Sequence, residues 1–140
     1  MNCRCGNVEV SKLLLDTSAY SAFVAGNEDV LKEIRKADVL VLTPIVLGEL
    51  RAGFAAGNRR EVNEERLQSF LNSRRVQLIA VDEGTSMYFG EIYAYLRKKG
   101  KAIPSNDLWI AASAMQHGLI ILTLDNHFSF VDQIIAKVLA

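Results

Sequence analysis

The sequence predicts an α/β layer fold built on a mainly parallel sheet. Three observations carry that prediction. Leu13-Leu14-Leu15 is an uninterrupted apolar run that stops on Asp16, Thr17 and Ser18, as suits a strand covered by helices on both faces. Apolar stretches of strand length recur at 39–42, 76–81 and 119–122. Between them lie segments with helical spacing and helix start and stop residues. In such a sheet, right-handed crossovers return each helix antiparallel to the strands, so strand C-termini and many helix N-termini share one edge. Ligands bind at that edge.

Taken in order, 19–25 reads as a short helix ending at Gly26, and Asn27 caps a second that runs to about Lys36 with Leu31, Ile34 and Arg35 in period. The strand at 39–42 closes on Thr43-Pro44, an N-cap followed by proline at the first helical position. Val46, Leu47, Leu50 and Phe54 then make an apolar stripe, with Gly57 as the stop. Asn58-Arg59-Arg60-Glu61 has capping-box spacing and opens a polar helix through about Asn72. After 76–81, Asp82 and Glu83 begin a helix carrying Met87, Ile92, Tyr95 and Leu96 towards Gly100. Pro104-Ser105-Asn106 introduces a helix at 107–117, with Ile110, Ala111 and Ala114 on one face and Gly118 as the stop. The strand at 119–122 runs into Thr123-Leu124-Asp125-Asn126. The tail residues Val131, Ile134, Ile135 and Val138 fit a helix or a last short strand, and both readings stay open.

The chain has 140 residues, half of them apolar and 23% charged, which suits one ordinary globular domain at 11–140 behind a leader at 1–10. Lys plus Arg equals Asp plus Glu, so overall charge argues for no nucleic-acid partner, and any such contact must come from local patches. No apolar run is long enough to span a bilayer and the start lacks an apolar signal region, so the expectation is a cytoplasmic protein. Cys3 and Cys5, with only two histidines elsewhere, are a poor metal-binding set and read as free thiols in a mobile tail.

Placed on this layout, four acids fall on the ligand edge: Asp16 after the first strand, Glu49 in the second turn after Thr43, Asp107 at a helix start, and Asp125 after the fourth strand. Carboxylates packed together repel one another and hold protons unless a cation compensates. Mg²⁺ or Mn²⁺ meets that need with oxygen ligands and supports attack of water on a phosphodiester. Thr17, Ser105, Asn106 and Thr123 are neutral polar groups beside the acids, able to orient water or phosphate oxygens. Singly, each acid also has a structural reading as a turn, helix-start or solvated position. Asp82 and Glu83 are explained by the dipole at their helix start.

Arg51, Arg59, Arg60, Arg66, Arg74, Arg75, Arg97, Lys98, Lys99 and Lys101 are the candidates for contact with a phosphate backbone. For any one of them a solvated helix surface is the commoner role. Trp109 is expected to pack in the core, and His117 to sit at a helix C-terminus. His127 is near enough to Asp125 in sequence to touch substrate, without the setting of a general base.

Leu14-Leu15-Asp16-Thr17-Ser18, Thr43 through Leu50, Asn106 through Ala112, and Leu122 through Phe128 together resemble the PIN-domain nucleases, and within them the VapC-like toxins of toxin-antitoxin pairs. That resemblance implies a three-layer α/β/α sandwich with the family's acidic quartet on Asp16, Glu49, Asp107 and Asp125. It further implies divalent-metal-dependent cleavage of RNA to 5′-phosphate and 3′-hydroxyl ends, a small antitoxin partner and a homodimer. A housekeeping PIN-type nuclease is the nearest alternative. A phosphate-accepting receiver-like module would want an acid pair at the first strand and a Lys near the last, whereas Asp16 stands alone and no Lys follows Leu122 until Lys137. A catalytically silent interaction domain is the third reading, favoured by loss of acids that are all present. The first strand is expected to be the central one, so that acids reach Asp16 from both sides.

Overall fold

The computed structural model describes residues 10–139. Most of the leader, including Cys3 and Cys5, lies outside them. Five strands, β1 (Lys12–Leu15), β2 (Val39–Leu42), β3 (Val76–Leu78), β4 (Ile120–Thr123) and β5 (Ile135–Val138), form one sheet in the order β3-β2-β1-β4-β5. Every pairing is parallel. Six helices flank it: α1 (Thr17–Val24), α2 (Glu28–Lys36), α3 (Pro44–Ala56), α4 (Arg60–Leu71), α5 (Glu83–Lys99) and α6 (Ser105–His117). A 3₁₀ turn at Asn126–Phe130 links β4 to β5.

β1 is central because its side chains are apolar on both faces: Leu14 and Leu15 are fully buried, and the strand pairs with β2 on one side and β4 on the other. The edge strands are less apolar or more open, as with Leu78 at 54% exposure on β3. This places the C-terminal ends of β1 and β4 side by side, with Leu15 opposite Leu122.

Local chemistry explains the helix ends. Thr43 accepts from the Val46 N–H at 3.3 Å and Pro44 opens α3, as expected. Asp82 accepts from the Thr85 N–H at 3.1 Å while the Thr85 hydroxyl accepts from the Asp82 N–H at 3.0 Å, a reciprocal box that starts α5. Gly100 and Gly118 end α5 and α6 at φ of 74° and 65°, where a side chain would be strained.

Several expectations are corrected. α4 starts one residue later than the Asn58 box requires: Arg59 is the N-cap, without a side-chain cap, and Glu61 falls too early in the helix to reach back. β3 ends at Leu78 rather than at 81, because its one partner, β2, ends at Leu42, and the Ile79 N–H makes the last bond to Leu42 O at 3.0 Å. α1 starts at Thr17 and α6 at Ser105, each two residues early, α1 because Asp16 itself is the cap. The open tail is a strand, since pairing with β4 satisfies an edge that would otherwise be bare.

Arg75 is also reassigned. Its guanidinium donates to Ala37 O at 2.7 Å and to Ile34 O, binding the carbonyl end of α2. Arg75→Met is expected to destabilise the fold by about 1.5–3 kcal/mol in urea unfolding, the range for hydrogen bonds from a charged donor. Lys99, bound to Phe130 O at 3.1 Å and facing Asp132, and Arg51, paired with Glu64 at 2.9 Å, are likewise engaged within the protein. Trp109 is half-buried and packs on Phe89 with ring centroids 4.3 Å apart, at the margin of the core rather than inside it.

Candidate functional site

Asp16 leaves β1 directly into α1, so one carboxylate serves as strand end and helix cap. Its Oδ1 accepts from the Ala19 N–H at 2.8 Å and from the Ser18 hydroxyl at 2.7 Å, and its Oδ2 accepts from the Thr123 hydroxyl. Only 3% of the residue is exposed. Thr123, the buried last residue of β4, in turn accepts from the Asp125 N–H at 2.9 Å. Ser18 accepts from the Leu124 N–H at 3.0 Å, so it too holds the end of β4 against the start of α1. Sequence reasoning had not placed Ser18 in the supporting set; the signal was a hydroxyl two residues after an acid that caps a helix.

Glu49, half-buried on α3, accepts from the Thr17 hydroxyl and from the Asn106 amide at 3.1 Å. Those donors are the immediate neighbours of Asp16 and Asp107, which ties the α3 acid to the other two by chain connectivity. Asp107, half-buried in the first turn of α6, lies 2.9 Å from His127 Nδ1 through Oδ2, and the same nitrogen lies 3.1 Å from Asp125 Oδ1. Asp107, Asp125 and His127 offer ligand atoms all within 4.8 Å of one another. The role of His127 was missed because Asp107 is twenty residues away and only the packing of α6 beside the 3₁₀ turn joins them. Ser105 is exposed at the start of α6, and among the described residues no hydrogen bond joins it to these groups.

Burial is the main force pushing the Asp16 carboxyl above its ordinary range; Thr123, Ser18 and the Ala19 N–H pull it back, and Asp125 adds repulsion. Asp107 is pushed up by burial first, drawn down by the His127 hydrogen bond, and raised again by Asp125 and Asp16. Thr123 joins Asp16 to Asp125, donating to the first carboxylate and accepting from the N–H of the second, and His127 joins Asp125 to Asp107. Among the described residues, no Lys or Arg pairs with any of the four acids. An oxygen-rich group of half-buried and buried acids, without a cationic side chain, fits a divalent cation.

The sign of the resulting pH dependence follows. A carboxyl with a raised folded pKa stabilises the fold below its unfolded value, about 3.9, and loses that contribution as pH rises through the folded value. In EDTA, the contribution of Asp16 and Asp107 to stability should therefore fall as pH rises above the ordinary carboxylate range. Thermal melting with and without a divalent ion checks this. The stabilisation by the ion should grow over the same window, and should shrink when Asp16 is replaced by Asn.

The PIN domain family matches residues 13–134. The chain is 29% identical over 119 residues to ribonuclease VapC5 of Mycobacterium tuberculosis, spanning 85% of this chain and 87% of that protein. The structure of VapBC2 from Rickettsia felis bound to a DNA fragment from their promoter aligns with a TM-score of 0.82 at 25% identity, over 92% of this chain and 99% of that one. VapBC-5 of Mycobacterium tuberculosis, a member of the VapBC family of toxin-antitoxin systems, aligns with a TM-score of 0.71 at 26% identity, over 92% and 99%. With the family match extending from β1 to the residue before β5, and a VapC ribonuclease similar along most of both lengths, the chain belongs to the PIN-domain family.

Proposed function

We propose that this protein is a divalent-metal-dependent endoribonuclease and the toxin of a toxin-antitoxin pair. The observation that carries the reading is the chain of contacts joining Asp16 to Asp125 through Thr123 and Asp125 to Asp107 through His127, with Glu49 tied in through Thr17 and Asn106, on an edge where no Lys or Arg among the described residues pairs with them. Asp16, Glu49, Asp107 and Asp125 would hold Mg²⁺ or Mn²⁺. When bound, the ion supplies positive charge at the scissile phosphate and makes water a competent nucleophile.

The chain's own residues prepare that site. Thr123 and Ser18 fix both oxygens of Asp16, and Thr17 and Asn106 aim Glu49, so the acids are held before substrate arrives. Water attacks phosphorus and the bond to the 3′-oxygen breaks, leaving 5′-phosphate and 3′-hydroxyl ends. Arg59, Arg60, Arg66, Arg74, Arg97, Lys98 and Lys101, without an ion pair among the described residues, are the remaining candidates to hold the RNA backbone.

An antitoxin segment would occupy the groove of about 470 Å³ lined by Tyr20, Phe23, Arg66 and Phe70 along α1 and α4. The relationship to VapBC complexes supports that partner. A second copy of the chain would cover apolar surface such as Met87 and Tyr93, exposed on α5. No helix among the described residues is long and apolar enough to cross a membrane, and the site of action proposed is the cytoplasm, where RNA is available.

The test is cleavage of RNA by the chain freed of any partner, in Mg²⁺, Mn²⁺ or EDTA, beside Asp107→Asn at matched folding. Cleavage should require the ion and the acid. Metal-independent cleavage, or full activity in the variant, would overturn the mechanism. Induction of the wild-type chain in a bacterial host should arrest growth, and induction of Asp107→Asn should not.

A further inference from the structure

We propose that His127 donates Nδ1 to the divalent ion, making the site a mixed nitrogen–oxygen centre that favours Mn²⁺ over Mg²⁺. This rests on the metal-dependent reading above and adds a ligand to it. Nδ1 lies 2.9 Å from Asp107 Oδ2 and 3.1 Å from Asp125 Oδ1. Neighbouring ligands on an octahedral ion with bonds of about 2.1 Å stand about 3 Å apart, so these separations equal edges of such a polyhedron. In the metal-free protein Nδ1–H donates to the Asp107 carboxylate; when the ion binds, the imidazole keeps its proton on Nε2 instead, and the Nδ1 lone pair points into the space that the two carboxylates share.

The position of the ring is built in. Asp125 Oδ1 accepts from the His127 N–H at 2.9 Å, which ties the donor to the acid beside it. Phe128, the next residue, is 1% exposed and anchors the turn in the core. Asp107, Asp125 and His127 place their ligating atoms within 4.8 Å of one another, so the imidazole completes the group with the acid pair. Mg²⁺ takes oxygen ligands, whereas first-row transition ions accept imidazole in mixed sites. Of the two ions proposed, only Mn²⁺ belongs to that series.

The test uses tag-free full-length protein, Mn²⁺ as the probe and electron spin echo envelope modulation as the readout. The wild type should show directly coordinated ¹⁴N. Labelling histidine with ¹⁵N should convert that signal without altering the protein, and His127→Leu should abolish it. His117, the other histidine, ends α6 ten residues from Asp107, about 15 Å along the helix, too far to contribute. Mn²⁺ affinity measured by calorimetry should fall about tenfold in His127→Leu, with Mg²⁺ affinity less affected. Mn²⁺ that binds, is weakened by Asp107→Asn and shows no nitrogen coupling would overturn the ligand role while leaving the metal-dependent reading intact. Equal losses of Mn²⁺ and Mg²⁺ without nitrogen coupling would reduce His127 to a positioning residue and overturn the proposal. Mn²⁺ binding unaffected by Asp107→Asn would overturn the underlying reading and the inference with it.

Discussion

Asp16→Asn is expected to lower RNA cleavage on the order of a thousandfold, the range seen when a main electrostatic partner of a transition state is removed, while the protein stays folded. The fold survives because the Asn side-chain oxygen still accepts from the Ala19 N–H and caps α1, a role in which Asn and Asp are equivalent. The Thr123 hydroxyl can turn to accept from the new amide. What is lost is the charge, and with it the proposed hold on the ion. Removing that charge also relieves the repulsion from Asp125, so metal-free Asp16→Asn should melt no lower than metal-free wild type at neutral pH. Single-turnover cleavage and thermal melting, each with and without the ion, separate the two effects. A variant that cuts at near the wild-type rate would remove Asp16 from the mechanism.

Phe128→Ala is expected to destabilise the protein by about 3–5 kcal/mol, the usual consequence of emptying a buried aromatic site. Phe128 is the largest side chain in the fully buried set, and it sits in the 3₁₀ turn that presents His127 beside Asp125. Chemical denaturation gives the stability loss. Because the turn is anchored there, cleavage should fall further than the folded fraction does, by displacement of Asp125 and His127. Phe128→Leu, which keeps most of the volume, should recover much of both. A stability loss with activity per folded molecule unchanged would show that the turn is held by other contacts.

Much of this architecture can be read before any coordinates. The Leu13-Leu14-Leu15 run demands cover on both faces, and it lies at the sheet centre. Thr43-Pro44 states a helix start in two residues, and it holds. Placing acids at strand ends and helix starts singles out Asp107 and Asp125, which share contacts with His127, and Asp16, joined to Asp125 through Thr123, with Glu49 linked through side chains adjacent to two of them.

The parts that stayed illegible depend on packing between distant segments. Val131, Ile134, Ile135 and Val138 satisfy a helical and an extended spacing alike, and only the free edge of β4 selects the strand. Arg75 is one basic residue among many until the sheet brings it under the carbonyl end of α2. Asn58 failed for a smaller reason: a helix that starts one residue late moves Glu61 out of the position from which it reaches back. His127 looks unremarkable beside Asp125, and its contact with Asp107 exists only once α6 and the turn are packed together.

The central place of β1 also orders events in time. A chain is made from its N-terminus, and β1, β2 and β3 are all complete by Leu78. That half of the sheet can pair early, leaving one apolar edge of β1 open until β4 is synthesised. Asp16 can cap α1 from the outset, but Thr123, Asp107, Asp125 and His127 all come from the last third of the chain. A growing polypeptide on the ribosome therefore carries Asp16 and Glu49 before the other two acids, and the four-acid edge is assembled only after Asp125 has been made.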